Sequence, residues 1–304
     1  MVDHVELKTF DDKYNTVSVW DDVENVIGVV VIAHGMAEHA DRYDDFAKRL
    51  NGEGYVVLAD NHRGHKYNPD GDLGKVAPDS FENSVRDIRT VVEYAKEKYA
   101  PGVLLLGHSY GSFLAQRYLE LYADTLTGCI LSGTAYMKGA LVGMGKLVAG
   151  VQRALIGGDK TGKLIDKLSF GAYNKPFEAQ GQRFAWLSRD KAEVAKYEAD
   201  EYCGYPLSIN YYYYFFRSVQ RMYSDKVRSV PAELPILIAV GSEDPVSNKA
   251  TLAEKLYKFY LQNGLNVTYK VYPGARHEIL NETNRAEVYD DMVSFIDGAF
   301  GQKV

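Results

Sequence analysis

The order of apolar and polar positions divides the chain into a regular part, an irregular middle and a second regular part. Val5–Phe10 and Thr16–Trp20 read as strands of a hairpin around the polar turn Asp11–Asn15. Val26–Ala33 is a continuous apolar run, the pattern of a strand covered on both faces. Asp41–Leu50 reads as a helix and Tyr55–Ala59 as a short buried strand. Ser80–Tyr99 has helical period: Val85, Ile88, Val92 and Ala95 share a face, and Ser80 stands where a cap is expected. The buried strands Val103–Leu106 and Gly128–Leu131 flank the helix-compatible stretch Phe113–Leu121. Such alternation predicts a mostly parallel sheet with helices on both faces.

After Ser132 the rhythm breaks. From Thr134 to Val230 no strong strand pattern appears; the segment is rich first in glycine and then in tyrosine. The alternation resumes with strand Ile236–Val240, helix Lys249–Asn263 stopped by Gly264, strand Asn266–Val271 and helix Ala286–Ala299. The expectation is an α/β core domain of residues 1–133 and 231–304, with residues 134–230 inserted as a mostly helical cap. The alternative is one uninterrupted α/β domain whose middle strands escape the pattern.

The chemistry sits in a few short segments. Gly107-His108-Ser109-Tyr110-Gly111 follows a strand and opens a helix. In that setting G-x-S-x-G places a serine on a sharp turn with its hydroxyl exposed, and the glycines permit close backbone approach. A serine nucleophile needs a histidine base and an acid to orient it, in the chain order Ser, acid, His. The chain has seven histidines, and only His277 follows Ser109. Of the ten aspartates after Ser109, Asp244 stands at the end of the apolar strand Ile236–Val240, ahead of Pro245. Glu243 is the neighbouring alternative. Each residue alone also has an ordinary reading, as a turn serine, a surface histidine or a turn-initiating aspartate. It is the order of three strand ends that points to a catalytic triad. Asp60, also at a strand end, precedes the serine and ranks below Asp244. His34 and His108 read as residues that hold loop geometry.

These segments resemble the α/β-hydrolase fold, and within it the monoacylglycerol lipase and lysophospholipase group of serine hydrolases. The resemblance rests on His34-Gly35-Met36-Ala37-Glu38-His39, Asp60-Asn61-His62-Arg63-Gly64-His65, the serine turn, Gly241–Val246 and Gly274–His277. Trp186–Asp190 and Asp200–Gly204 are similar to cap segments of bacterial members. It implies an oxyanion hole made by the backbone N–H groups of Met36 and Tyr110. It also implies a monoacylglycerol or lysophospholipid substrate. A short-chain or aryl carboxylesterase, a thioesterase and an aminopeptidase of the same fold are alternatives, as is an inactive hydrolase-like binding protein. Two positions depart from the family pattern, Ala37 and Lys66, each where a glycine is usual.

Composition narrows the rest. The chain has 304 residues, 46% of them hydrophobic and 25% charged, which suits a folded protein with a large core. A net charge of −6 argues against nucleic acid as the main partner. Two cysteines, Cys129 and Cys203, make neither a disulfide framework nor a zinc pattern, and His62 with His65 lacks a third ligand. No metal or organic cofactor is expected. The opening residues carry no signal-peptide pattern, so a cytoplasmic protein is expected.

The middle segment offers a candidate substrate surface. Met137, Leu141, Met144, Val148, Val151 and Leu155 recur at helical spacing, among glycines that weaken the helix. They suit a mobile lid that meets lipid, or a helix packed on the core. The aromatic run Tyr211–Phe216, with Tyr212 and Tyr213 as candidate substrate contacts beside Met137 and Leu141, suits an acyl channel or simple packing. Residues 134–230 hold 15 lysines and arginines against 9 aspartates and glutamates, so this segment is basic and the rest acidic. Such a balance could turn the entrance toward an anionic interface, or be ordinary solvated charge.

Overall fold

The computed structural model describes residues 2–67, 72–99 and 102–302. Its centre is one eight-stranded sheet, in the order β1-β2-β4-β3-β5-β6-β7-β8. The strands are β1 Asp3–Lys8, β2 Tyr14–Trp20, β3 Gly28–Ala33, β4 Tyr55–Asp60, β5 Val103–His108, β6 Gly128–Ser132, β7 Ile236–Gly241 and β8 Val267–Tyr272. The first two pair antiparallel with each other, and β2 pairs antiparallel with β4; every pairing from β4 through β8 is parallel. The hairpin, the mostly parallel sheet and the resumption of strands after the middle segment all match the sequence pattern.

Burial follows the two-residue period of the strands. Val29, Val31, Val103 and Leu105 point to one face, where they join Val85, Ile88, Val92 and Ala95 of α2 Ser80–Lys98 and Leu114 and Tyr118 of α3 Tyr110–Tyr122. Val30, Ile32, Leu104 and Leu106 point to the other, against Phe46 and Leu50 of α1 Asp44–Asn51 and Met292 and Ile296 of the C-terminal helix Arg285–Ala299. A strand apolar at every position is therefore one read by two cores, which is why β3 and β5 show runs rather than alternation. Ser80 lies inside the first turn of α2 and is buried; Asp79 precedes the helix, and no side chain caps it. Burial of the first turn makes Ser80 a packing residue rather than the expected cap.

Between β6 and β7 lie four more helices: α4 Ala140–Ile156, α5 Lys163–Phe170, α6 Lys191–Ala199 and α7 Ile209–Val219. Among the described residues, no strand of the central sheet falls in this stretch. The order continues with α8 Thr251–Gln262 and α9 Arg285–Ala299. Helix α4 begins at Ala140, so Met137 stands before it, half-buried, with its N–H donating to the Tyr223 hydroxyl.

The turn from β5 into α3 depends on one glycine. A methyl group on Gly111 would collide with the carbonyl oxygens of Ala33 and His34, at the end of β3. Backbone cannot yield as a side-chain tip can, so overpacking here costs about 3 kcal/mol. Gly111→Ala should therefore lower the melting temperature by roughly 5–10 °C. Calorimetry showing an unchanged melting temperature would contradict this close approach.

Candidate active site

In a parallel sheet, chemistry collects at the carboxyl ends of the strands. Ser109 follows β5 directly, with φ 51° and ψ −117°, a conformation that a side chain seldom adopts. Its N–H donates to the carbonyl of Ser132 at the end of β6 (3.0 Å), which pins the turn to the sheet, and its side chain is partly exposed. Asp244 lies in the turn after β7 and is fully buried. His277 lies five residues beyond β8, also buried. The Nδ1 of His277 is 2.9 Å from Asp244 Oδ1, and that oxygen also accepts the Val246 N–H at 2.9 Å. Glu243 turns away to pair with Lys249.

Burial disfavours a charged His277, but the Asp244 carboxylate outweighs it and raises the imidazole above its ordinary pKa. The His277 ring lies 4.8 Å from that of His108, next in chain to Ser109. Among the described residues, no hydrogen bond joins Ser109 Oγ to that ring. The structure thus brings Asp244 into contact with His277, and brings His277 to the rim where Ser109 stands. Catalytic hydrogen bonds are often long before substrate arrives.

The loop after β3 is held at nearly every peptide group. Glu38 accepts the Gly35 N–H, and His34 Nδ1 lies 2.7 Å from the Gly35 carbonyl. His65 Nε2 accepts the Ala37 N–H (3.1 Å), and the Ala37 carbonyl accepts from Tyr197 (2.9 Å) and the Gly204 N–H (2.8 Å). The Met36 N–H has no partner among the described residues, and neither has that of Tyr110, the first residue of α3. An unpaired N–H at a helix start favours negative charge. Ala37 sits at φ 53°, which explains why the sequence pattern wants glycine there: this chain places a methyl in the left-handed region.

Beneath the loop, Arg42 ties it to the histidine segment. Its guanidinium pairs with Glu38 and makes a two-pronged bond with Glu278 (2.8 and 2.7 Å), the residue after His277. Burial raises the Glu278 pKa, but Arg42 overrides this and holds it down to about 2. Sequence reading passed over this cluster, although Glu38 and Arg42 stand at i and i+4, a spacing that pairs charges on a helical turn.

A possible ligand set for a metal is His39, Asp200 and Cys203, whose donor atoms come within 4.8 Å of one another. His39 Nε2 is spent on Asp200 at 2.8 Å. Burial pushes the Cys203 thiol up, away from the thiolate that a metal needs. His62 and His65 have their ring nitrogens on Asp60, His34, Arg63 and Ala37.

The middle segment meets the site at two places. Trp186 lies 5.1 Å from the His277 ring, centroid to centroid. Tyr211 and Phe215, one helical turn apart on α7, pack on Tyr110 at 5.1 and 5.8 Å. Tyr212 instead points to α5, where its hydroxyl donates to Asp166 (2.7 Å), and Tyr213 lies under Arg153. Leu141 is 79% exposed on the outer side of α4. The helical phase of α7 thus turns Tyr211 toward the serine turn, and Tyr212 and Tyr213 away from it. Trp186 was legible only as part of a cap segment; its place over His277 needs the fold.

An eight-stranded, mostly parallel sheet with a serine turn after β5 defines the α/β-hydrolase class. The chain belongs to the family described as "Serine aminopeptidase, S33", whose model matches residues 24–284. It is 30% identical over 289 residues to the monoacylglycerol lipase of Mycolicibacterium smegmatis, covering 91% of each chain. A thermostable carboxyl esterase from Bacillus coagulans, solved with glycerol, superposes with a TM-score of 0.87 at 26% identity, over 98% of this chain and 99% of that one. A lipase in an open form superposes with a TM-score of 0.86 at 23% identity, over 99% and 100%. The protein is an enzyme, a hydrolase of the monoacylglycerol lipase-like kind.

The raised pKa of His277 has a kinetic sign. A base must be neutral to work, so kcat/KM on a neutral ester should rise with pH, with its acid limb centred above about 6.5. A pH–rate profile centred well below that value would contradict the Asp244 contact as the dominant influence.

Proposed function

We propose that the protein cleaves carboxylic esters of monoacyl lipids, monoacylglycerols or lysophospholipids, by a Ser109–His277–Asp244 acyl-enzyme mechanism. The observation that carries this reading is the buried Asp244–His277 bond at the same rim as the strained serine turn. In this reading Ser109 Oγ meets His277 Nε2 once substrate is bound. The oxygen then attacks the ester carbonyl as its proton passes to Nε2. Asp244 keeps the Nδ1–H tautomer and steadies the imidazolium. The free N–H groups of Met36 and Tyr110 hold the developing oxyanion. The alcohol leaves with the proton from Nε2, and water, deprotonated in turn by His277, releases the acid and restores Ser109. The lipid end of the reading draws on the M. smegmatis relative and on the esterase solved with glycerol.

An aminopeptidase would need a carboxylate over the site to bind a free amine. The carboxylates of Asp166, Asp190 and Asp200 in the middle segment are taken by Tyr212, Arg285 and His39. Parallel turnover of glycerides and aminoacyl anilides separates the two readings.

Residues 134–230 act in this reading as the cap, over a core of residues 1–133 and 231–304. Its parts differ in attachment. The stretch around Trp186 is bound to the histidine segment: Leu187 O accepts the Glu278 N–H (2.8 Å), Ser188 Oγ donates to Asn281 O (2.7 Å), and Arg276 donates to Ala185 O and Ser188 O (2.6 and 3.0 Å). Helices α4 and α5 instead expose Leu141, Met144, Leu147, Val151, Leu155, Ile156, Leu164 and Leu168. Exposed apolar residues along most of the α4 stripe support a lid that rests on lipid, while Met137 and Val148 pack against the core. Among the described residues no helix is long and apolar enough to cross a membrane; the contact proposed is a peripheral one, through the exposed residues of α4 and α5.

Two experiments test these points. Ser109→Ala should cost at least about 10³ in turnover on a p-nitrophenyl ester and abolish labelling by a fluorophosphonate. Near-normal activity would refute the nucleophile. In flotation with vesicles, the protein should rise with lipid, more so with anionic lipid. Leu147→Ser with Leu155→Ser should weaken that while sparing turnover of a short soluble ester. Equal flotation of the double variant would end the lid contact.

A further inference from the structure

Three buried histidines below the loop after β3 can be assigned protons from their partners. His34 Nε2 accepts the backbone N–H of His62 (3.2 Å), and its Nδ1 faces the carbonyl of Gly35 (2.7 Å), so it carries one proton, on Nδ1. His65 Nε2 accepts the Ala37 N–H (3.1 Å), and its Nδ1 faces the carbonyl of Arg63 (3.2 Å), so it too is neutral, with its proton on Nδ1. His62 differs. Its Nε2 lies 3.0 Å from the carbonyl of His34, which can only accept, and its Nδ1 lies 2.5 Å from Asp60 Oδ2. The other oxygen of Asp60 accepts from the Asn15 amide, and both Asp60 and His62 are buried.

One proton lies between Asp60 Oδ2 and His62 Nδ1. Asp60 accepts from the Asn15 amide through its other oxygen, as a carboxylate does, so the proton is assigned to the ring. We infer that His62 is a standing imidazolium, neutralised by Asp60, and that it is a positioning residue for the proposed oxyanion hole. Its Nε2–H holds the His34 carbonyl by a charge-assisted bond. His34 in turn holds the Gly35 carbonyl, and His65 the Ala37 N–H, so the peptide between them presents the Met36 N–H. The His62 ring also packs on the rings of His34 (4.1 Å) and Tyr110 (5.6 Å), residues of the two segments that carry the proposed donors. Burial, and then the His62 charge, hold His34 and His65 below their ordinary pKa, which keeps them neutral beside it.

The titratable groups around His62 are Asp60 on its own segment, His34 after β3, His65 in the same loop, and Tyr110 on α3. Asp87 on α2 also influences Asp60, but its carboxylate is bound to Arg63 at 2.6 and 2.9 Å. None of these supplies a second cation for Asp60.

The role given to His62 rests on the proposed oxyanion hole, but its protonation does not. The test uses protein labelled with ¹⁵N-histidine, with ring signals read from about pH 6 to 9. At about pH 8 His62 should show protons on both ring nitrogens, and His34 and His65 on Nδ1 alone; His62→Gln identifies the signal. In Asp60→Asn, His62 should lose one ring proton at that pH. Its kcat on p-nitrophenyl butyrate should drop about tenfold with KM nearly unchanged, a fraction of what a lost oxyanion donor costs. A single ring proton on His62 in the unchanged protein overturns the assignment, whether or not the variant folds. An unchanged kcat in Asp60→Asn, or a KM that rises as much as kcat falls, overturns its role. Failure of Ser109 to react with a fluorophosphonate would sink the proposed mechanism while leaving the ring protons as measured.

Discussion

The rim of this protein depends on how closely the first turn of α3 lies against the end of β3. Gly111 lets the two backbones meet, and Gly107 does the same one turn earlier, against Gly111 itself. Only with that approach does Ser109 take its left-handed backbone, and only then do the loop after β3 and the start of α3 share one space. A side chain at either glycine would push apart the two segments that carry the unpaired N–H groups of Met36 and Tyr110. The strain in the turn is sustained by the sheet around it, since Ser109 is bonded to β6 as well as continuous with β5.

Around this point the protein buries several ionisable groups that meet specific partners. Arg42 bridges Glu38 to Glu278, Arg63 bridges Asp11 to Asp87, and Asp244 meets His277. Taken from water, such charges are costly unless paired with good geometry. What they supply is position. Arg42 links the loop after β3 to the segment of His277, so two chain regions 236 residues apart are held in register by a fork of hydrogen bonds. The histidines below the loop do the same with mostly neutral rings.

The middle segment combines two mechanical characters. The stretch from Ala185 to Arg189 is bonded to the histidine segment through backbone and buried side chains, so Trp186 stands over His277 as a fixed wall. Helix α4, by contrast, packs on α7 by a narrow side, with Val142 and Ala149 buried and its remaining apolar residues largely exposed. Gly145 lets it settle onto Phe216. This helix is held to α7 along one side, where Arg153 also donates to Asn210, and leaves its other side to solvent.

Much of the fold was legible in the chain itself, because its strands are covered on both faces and so appear as apolar runs between turn residues. The serine turn, His277 and Asp244 were picked out by order alone, since a parallel sheet brings successive strand ends to one side. Local pattern could not decide which side of a helix meets what. The α4 stripe has a helical period whether it faces a core or solvent, and in α7 the phase that turns Tyr211 and Phe215 to Tyr110 comes from its packing on α2 and α3. Ser80 likewise has the composition of a cap, but burial takes it as packing. Sequence determined the strands, their order and the residues fit for the chemistry, because these depend on local periodicity and spacing. The partners of the buried charges, the protons on the histidines and the wall at Trp186 were decided by tertiary structure, because each is a contact between segments far apart in the chain.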